Sequence, residues 1–245
     1  MRAFILIGVL VLLSVKVFSQ GEIDSEKKVL IRNERTFYIL LNTNGGGAGY
    51  SYAKMINIYR KKQWSFELVK IKDPKEIKIS GDPNFRRYVY GKANDFITAR
   101  VGYGYLYKLY EKKDKGGIEI RLFYNSGLSV GFLKPMYYYI GSQELFVEKF
   151  SQSNHNIIRG GASYFKGFDE TIVLPGVFVK AGASFEFSKR DILLNSLEGG
   201  LILDVYPKKV EIMANDLNKF YFLSLFISYR FGKVVNPRAI KINTE

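Results

Sequence analysis

The sequence predicts an all-β fold: a transmembrane, antiparallel, up-and-down β-barrel of about eight strands that follows an N-terminal signal peptide. Three observations lead to this prediction. The longest apolar run lies at the start of the chain, hydrophobic residues elsewhere alternate with a period of two, and aromatic residues crowd the apolar faces. The chain has 245 residues, of which 47% are hydrophobic and 16% aromatic, so intrinsic disorder is excluded.

Residues 1–20 have the composition of a secretory signal peptide. Arg2 provides the positive start, residues 3–13 form the apolar core, and Ser19 precedes the expected cleavage site. This core is far shorter than the ~20 residues that a membrane-spanning helix needs. We therefore predict that the chain is exported. The domains expected after the signal peptide are an N-terminal periplasmic segment, the barrel and a periplasmic tail, at 21–34, 35–232 and 233–245.

The formal net charge of +14 and the absence of cysteine narrow the possible functions. Without cysteine the chain has no disulfide, zinc–thiolate site or thiol nucleophile, and a single histidine argues against a multi-histidine metal site. No cofactor and no metal are therefore expected. A strongly basic protein favours nucleic acid or anionic lipid, and export favours lipid phosphates or an acidic glycan, so nucleic acid is not an expected partner. The equal alternative is that the excess charge only forms a solvated face that keeps the protein soluble.

Period-two alternation marks the strands in order along the chain. In the clearest of them, residues 221–231 place an apolar side chain at every second position, and the intervening positions turn polar toward Ser228 and Arg230. Two less regular segments flank the glycine run 45–47. The predicted strands are 35–44, 48–58, 64–68, 96–110, 118–125, 173–187, 197–205 and 220–231.

The character of the two faces predicts a membrane barrel. The apolar faces are long and carry Tyr, Phe and Trp, whereas the opposite faces are small and glycine-rich and carry charges of both signs. In a transmembrane barrel the apolar face meets lipid, the polar face lines the lumen, and aromatic residues form girdles at the interfaces. A soluble eight-stranded barrel is the alternative, in which the apolar face would form the core.

The connections alternate between short and long, as they do in outer-membrane barrels. Short periplasmic turns are expected at 60–63, 112–116 and 190–195. External loops are expected at 44–47, 73–94, 132–170 and 207–218. The first hairpin is the exception, because its glycine run indicates either a hairpin turn or a bulge within one long strand.

Acidic and basic residues on the polar faces balance each other. The residues predicted to form this lumen charge cluster are Glu67, Arg100, Lys108, Glu119, Arg121, Lys180, Glu186, Glu198, Asp204 and Arg230. Those expected toward the periplasmic end are Glu67, Lys108, Glu119, Arg121, Glu186, Glu198 and Arg230. Buried charges are costly unless they are paired, so a neutral cluster in a narrow lumen predicts a polar plug. A proton or ion path through the carboxylates is the alternative.

Two features of the external loops bear on partners and activity. Lys75, Lys78, Arg86 and Arg87 make one loop basic, so these side chains either contact lipopolysaccharide phosphates or are simply solvated. His155 lies near Ser151, Ser153 and Glu148, which are the residue types that a lipid-modifying barrel enzyme uses. A loop histidine is more often solvated surface, and no catalytic residue is assigned.

The sequence resembles a family of small outer-membrane β-barrel proteins from Bacteroidota, which are porin-like or OmpX-like in architecture. The segments that carry the resemblance are Asn42–Tyr50, Tyr90–Asn94, Arg100–Gly104, Leu109–Gly117, Glu119–Arg121 and Leu133–Tyr137, together with a signal peptide that ends Phe-Ser-Gln. The resemblance implies the fold and a Gram-negative outer-membrane location. The family has no established activity, so the resemblance implies none.

The function that these observations favour is non-enzymatic: a structural or accessory barrel subunit that contacts envelope partners or lipopolysaccharide. The expected partners are outer-membrane lipid, an envelope protein and the barrel-assembly machinery, because the last strand ends in the aromatic-x-aromatic pattern of Tyr229 and Phe231. A small porin-like channel is the first alternative, and a lipid A-modifying barrel enzyme is the second.

Overall fold

The computed structural model describes residues 32–80, 82–114, 116–141, 144–150, 158–190, 192–214 and 218–235. The predicted signal peptide, residues 21–31 and residues 236–245 lie outside the described residues. The described part contains thirteen strands, numbered β1 to β13 in chain order.

Eight long strands form a closed antiparallel barrel in which each strand pairs with its neighbours along the chain and β13 pairs with β1. These barrel strands are β1 (Asn33–Asn42), β2 (Gly45–Asn57), β3 (Arg60–Ile71), β6 (Asn94–Tyr110), β7 (Glu119–Pro135), β11 (Ile172–Glu186), β12 (Leu193–Val205) and β13 (Tyr221–Val235). Closure leaves no unpaired strand edge, which is the condition for β-strands to span a membrane. The predicted all-β, up-and-down barrel of eight strands is thereby confirmed.

Five short strands lie in the long connections between the barrel strands. They are β4 (Lys78–Ile79), β5 (Tyr88–Val89), β8 (Tyr137–Ile140), β9 (Phe146–Lys149) and β10 (Ile158–Gly161). We call the end of the barrel where β1 begins and β13 ends the terminal end, and the opposite end the loop end. The long connections 72–93, 136–171 and 206–220 all lie at the loop end, as the sequence predicts.

The glycine run 45–47 belongs to a strand, so its prediction as a turn or bulge is wrong. The turn is Thr43–Asn44, and the three glycines pair with Asn42, Leu41 and Leu40 as the start of β2. A Cβ atom on Gly47 would lie 2.1 Å from the carbonyl oxygen of Leu68, so glycine lets β2 and β3 approach closely. Residues 35–58 are therefore two strands of the barrel.

Two connections at the terminal end differ slightly from their predicted positions. The turn predicted at 190–195 lies at 187–192, because β12 already begins at Leu193. The turn predicted at 60–63 lies at Ile58–Tyr59, because residues from Arg60 onward already pair with β6. The barrel also extends slightly beyond its predicted bounds of 35–232, to Asn33 and Val235. Alternation alone fixes the face of a residue better than it fixes a strand end.

Alternate residues of the barrel strands point outward and inward, and the outward face is the apolar one. Large hydrophobic side chains on that face are openly exposed: Phe37 is 57% exposed, Leu128 69% and Leu223 61%. Polar side chains such as Arg100 and Asp204 are buried inside. This inside-out arrangement fits lipid rather than water around the barrel, and it removes the soluble barrel as an alternative. Within the described residues, no helix is long and apolar enough to cross a membrane.

The apolar core of the protein lies inside the barrel toward the loop end. It combines inward side chains of the strands with side chains of the loop that follows β12. The buried members are Tyr38, Leu40, Val69, Ile71, Phe96, Leu106, Phe123, Leu133, Ile202, Tyr206, Val210, Ile212, Met213 and Phe226. A smaller apolar cluster around Tyr138, Ile140 and Ile158 lies in the sheet formed by β8, β9 and β10.

Candidate functional site

The middle of the lumen holds five side chains that come from five different strands; we call them the central cluster. Its members, all buried, are Tyr38, Glu67, Arg100, Lys180 and Asp204. Arg100 donates to both oxygens of Asp204, from Nε at 2.8 Å and Nη2 at 2.7 Å, and to Glu67 from Nη1 at 3.0 Å. Glu67 also accepts from Lys180 at 2.7 Å and from the Tyr38 hydroxyl at 2.9 Å. Two carboxylates thus face two cations, and the cluster is neutral.

A second group of charges, the terminal cluster, lies inside the barrel at its terminal end. Its members are Glu34, Lys61, Lys112, Glu119, Arg121 and Glu186. The Arg121 guanidinium lies 3.2 Å from Glu34 and 2.5 Å from Glu119. Arg121 also pairs with Glu186, whose other oxygen lies 3.1 Å from Lys112. Lys61 pairs with Glu34, so three acids face three bases and this cluster is neutral as well.

Arg230 and Glu198 form a further ion pair, which lies between the two clusters. Nη2 of Arg230 donates to Glu198 at 3.0 Å, and Nη1 donates to the Thr36 hydroxyl at 3.0 Å. The guanidinium carbon lies 4.7 Å from the centre of the Tyr38 ring and so connects this pair to the central cluster. Compensated charges therefore follow one another along the lumen from the terminal end to its middle.

The structure brings most of the predicted lumen charges together and separates one from the rest. Nine of the ten side chains are buried inside the barrel, whereas Lys108 is only half-buried. The ladder shifts register between Lys108 and Tyr110, and Lys108 pairs with Glu111 in the connection to β7, at 3.0 Å. Lys108 is therefore outside the clusters. Glu67 lies in the central cluster, and its expected place near the periplasmic end is wrong.

Sequence reasoning misses several members of the clusters. It assigns Glu34 to a periplasmic segment, Lys61 and Lys112 to turns, and Tyr38 to no role. Glu34 and Tyr38 have the same parity as Thr36 along β1, so alternation extended backward by one residue would place them inside. The position of Lys112 carries no such signal, because it lies beyond the end of β6 and reaches back to Glu186.

The loop end of the lumen is covered by residues 206–214, which we call the cap. The Tyr206 hydroxyl lies 2.8 Å from that of Thr98, and Val210, Ile212 and Met213 are buried in the apolar core. The backbone amides of residues 93 and 94 donate to the carbonyl oxygen of Ile212 at 3.0 and 3.1 Å. The cap thus adds an apolar layer above the charged clusters.

Further charges are paired where the barrel strands meet the external loops. Lys92 lies 2.6 Å from Asp95 and 2.8 Å from Glu76, and Lys70 also pairs with Asp95. Lys134 is buried and donates to the backbone carbonyl of Tyr164 at 2.8 Å. These contacts hold the loops 72–93 and 136–171 against the mouth of the barrel.

Two ionisable groups show how the external loops are tied together. Hydrogen bonds from Lys149 and from Tyr137 lower the pKa of the Glu170 carboxyl, and the Tyr137 hydroxyl lies 2.7 Å from it. Burial raises the pKa of Tyr138, whose hydroxyl donates to the carbonyl oxygen of Lys92 at 2.6 Å. The two tyrosines therefore join the external sheet to the rest of the mouth through neutral hydroxyls.

The four basic residues predicted to contact lipopolysaccharide lie on loop 72–93 at the loop end. Lys75, Lys78, Arg86 and Arg87 are all exposed, and in the described part of the chain none of them forms an ion pair. The loop is anchored to the external sheet through its backbone, where the amide of Gly161 donates to the carbonyl oxygen of Arg86 at 3.0 Å. The four side chains project from an ordered support and are free to meet an anion.

The described residues contain no group of three or more histidine, aspartate or glutamate side chains that could hold a metal ion. His155, Ser151 and Ser153 lie outside the described residues, and Glu148 lies in β9 of the external sheet. Of the catalytic grouping that the sequence raises as an alternative, the structure therefore places only Glu148.

No family model and no curated protein matches the sequence. Among solved structures, the chain is similar to Ail, the attachment invasion locus protein of Yersinia pestis, in complex with the heparin analogue sucrose octasulfate. The identity is 9% and the TM-score 0.39, over 84% of this chain and 97% of that one. Neisserial surface protein A gives 10% identity and a TM-score of 0.42 over 84% and 97% of the two chains. The N-terminal β-barrel domain of Pseudomonas aeruginosa OprF gives 9% and 0.35, over 86% and 100%.

The class of the protein follows from its own geometry. It is an eight-stranded transmembrane β-barrel, because the barrel is closed, its outer surface is apolar and its interior is charged and compensated.

Proposed function

We propose that the protein is a non-enzymatic barrel of a Gram-negative outer membrane, in which it acts as a structural or accessory subunit. Its external loops contact lipopolysaccharide or an envelope partner, and its lumen stays closed. The resemblance of the sequence to the Bacteroidota barrel family supports this location. The single observation that carries the proposal is the occupied interior, where neutral ion-pair clusters are followed by an apolar cap.

The interior argues against a channel for physical reasons. A hydrated ion that entered the lumen would meet side chains already paired with one another, such as Arg100 with Asp204. Separating a buried pair leaves an uncompensated charge, which costs about 3–5 kcal/mol when one partner is lost. Conduction needs sites that bind an ion and release it easily, and a paired network together with an apolar layer offers none.

The exposed basic loop supports lipopolysaccharide as one contact. Lys75, Lys78, Arg86 and Arg87 lie at the end that carries the long loops, which is the external end in outer-membrane barrels. Each unpaired cation near a layer of phosphates contributes about 1 kcal/mol of attraction. A protein with this arrangement would be inserted by the barrel-assembly machinery and would keep its loops in the lipopolysaccharide layer.

The first test is to purify the tagged protein after mild detergent extraction from its native envelope and to quantify co-purifying proteins by mass spectrometry. A stoichiometric envelope partner would support the accessory role. Recovery of the barrel alone, without a partner and without lipopolysaccharide, would contradict it.

The lipopolysaccharide contact is tested separately by changing the four loop residues to glutamine: Lys75→Gln, Lys78→Gln, Arg86→Gln and Arg87→Gln. The expected result is less lipopolysaccharide retained per barrel. A variant with the same loss of charge at the terminal end serves as the control: Lys113→Gln, Lys189→Gln, Arg190→Gln and Lys233→Gln. Equal retention in the two variants would contradict a loop-specific contact.

A further inference from the structure

The charges on the outer surface of the barrel are distributed very unevenly. Every acidic residue in the eight barrel strands is buried. Six of them point inward: Glu34, Glu67, Glu119, Glu186, Glu198 and Asp204. The seventh, Asp95, lies on the outward side of β6 at the loop end, where it pairs with Lys70 and Lys92. The outward charges at the terminal end are all basic and lie on the adjacent strands β13, β1, β2 and β3. We call these residues the basic rim: Arg35, Lys54, Arg60, Lys62 and Lys233.

Within the basic rim, like charges lie directly opposite each other on neighbouring strands. Lys54 pairs in register with Lys62, and Arg35 pairs in register with Lys233. Directly opposed like charges destabilise a sheet unless something compensates them. No acidic side chain of the described residues forms an ion pair with any of these four, so the part of the chain that the structure describes leaves their charges uncompensated.

Arg60 extends the rim onto a group of tyrosines. Its guanidinium carbon lies 3.8 Å from the centre of the Tyr105 ring and 5.4 Å from that of Tyr107. Its Nε atom is buried and has no hydrogen-bond partner. Lys62 lies opposite Tyr105 in the same ladder, so a cationic and aromatic surface forms where the apolar wall of the barrel meets the headgroup region.

An apolar groove of about 530 Å³ lies beside these tyrosines on the outer wall. Its sides are formed by Tyr107, Tyr124, Leu122 and Leu201, and its floor includes Ala181, whose single methyl group leaves room between these larger side chains. Tyr107 belongs both to this groove and to the surface on which Arg60 packs. The cationic site and the apolar groove are therefore adjacent, because the Tyr107 side chain belongs to both.

We propose that this surface binds a phospholipid with an anionic headgroup, taken from the membrane leaflet at the terminal end. The headgroup phosphate lies among Lys54, Arg60 and Lys62, where it compensates the opposed lysines and accepts from the guanidinium. One acyl chain lies in the groove over Ala181. Because no acid among the described residues pairs with the rim, a net-negative lipid is favoured over a zwitterionic one. This site is at the opposite end of the barrel from the proposed lipopolysaccharide contact and does not depend on it.

The test uses the purified full-length barrel in a neutral detergent, with phosphatidylglycerol or phosphatidylcholine added, and counts bound lipid by native mass spectrometry. The wild-type protein should retain phosphatidylglycerol in preference to phosphatidylcholine. The triple variant Lys54→Gln, Arg60→Gln and Lys62→Gln should lose at least about tenfold in affinity for phosphatidylglycerol. The control with the same loss of charge is Lys72→Gln, Lys208→Gln and Lys209→Gln, three exposed residues at the loop end, and it should bind normally.

The groove is tested by filling it with Ala181→Phe, and the matched control is Val179→Phe on the same outward face of β11. We expect the first variant alone to lose phosphatidylglycerol, while both keep the thermal unfolding transition of the wild type. Three results would overturn the site: equal binding of the two lipids by the wild type, unchanged binding by the triple variant, or the same loss in a variant and its control.

Discussion

At the scale of single residues, the interior is stable because each buried charge has a partner of opposite sign. The presence of charges in the interior is not stabilising in itself. Arg100 is fully buried, yet each of its hydrogen bonds goes to a carboxylate. A buried ion pair contributes little net stability compared with apolar packing, but loss of one partner is strongly destabilising. The same holds for Arg121 among its three carboxylates.

This asymmetry predicts the effect of removing Arg100. The substitution Arg100→Met should lower the free energy of unfolding by about 3–5 kcal/mol, because Asp204 is left buried without a partner. The double change Arg100→Met with Asp204→Leu should recover much of that loss, since Glu67 keeps its contact with Lys180. Urea-induced unfolding of the barrel in detergent measures both effects. A double variant less stable than the single one would contradict the asymmetry.

For single residues, the sequence predicts which face of a strand a side chain occupies, but it does not predict which other side chain it contacts. Alternation places Arg100, Lys180 and Asp204 on inward faces because side chains of a strand alternate strictly. It does not reveal that Tyr38 donates to Glu67, since that contact joins residues 29 positions apart in sequence. Such pairings depend on which strands face each other across the closed lumen, and a single strand carries no information about that.

At the scale of elements, inward glycines make room for inward rings. A Cβ atom on Gly131 would lie 2.5 Å from the Phe96 ring and 3.2 Å from that of Tyr206. These two rings meet edge to face, with their centres 5.3 Å apart, where the first residue of the cap packs against β6. A Cβ atom on the outward Gly199, in contrast, would have only one atom nearby, the carbonyl oxygen of Phe226 at 3.7 Å.

The two glycines therefore respond differently to the same substitution. Gly131→Ala should destabilise the barrel by about 1–3 kcal/mol through overpacking of the rings. Gly199→Ala should change stability by no more than about 0.5 kcal/mol, because its site is open. Thermal unfolding followed by circular dichroism compares the pair, and equal losses would show that glycine at 131 does not serve to admit the rings.

The cap is the element that closes the loop end, and its packing predicts its dynamics. Ile212→Ala should lower the free energy of opening the cap by about 2–5 kcal/mol, since that side chain is buried. Hydrogen exchange should then accelerate in 206–214 and remain slow in the barrel strands. Ile77→Ala is the control, because Ile77 is 73% exposed at the same end. Acceleration by both variants, or by neither, would contradict a packed cap.

The sequence predicts the strands well and the loops poorly, for a physical reason. Strand segments repeat a two-residue pattern imposed by lipid on one side and lumen on the other. The cap carries no such repeat, and its burial depends on tertiary contacts such as that of Ile212 with the backbone of loop 72–93. The glycine run 45–47 is misassigned from sequence because glycine serves turns and close strand contacts equally well.

At the scale of the whole molecule, the surrounding lipid and the narrow interior of the barrel determine the architecture. Lipid requires that the outer wall be apolar and that no strand edge be left unpaired, and closure of β13 onto β1 meets the second requirement. The narrow interior of an eight-stranded barrel requires that its side chains fill and satisfy one another. The balance of charges in the lumen and the apolar outer face could be predicted from composition and alternation. The cap and the basic rim become apparent only once the strands are placed side by side.

The central claim is that the lumen is closed along its length, and bilayer conductance tests it most directly. The purified full-length protein is inserted into a planar lipid bilayer, and the current is recorded at fixed voltage in concentrated potassium chloride. The claim predicts a baseline without unitary steps, because paired charges and the cap leave no continuous aqueous path. Reproducible unitary steps that scale with salt concentration would contradict it, and the protein would then be a channel.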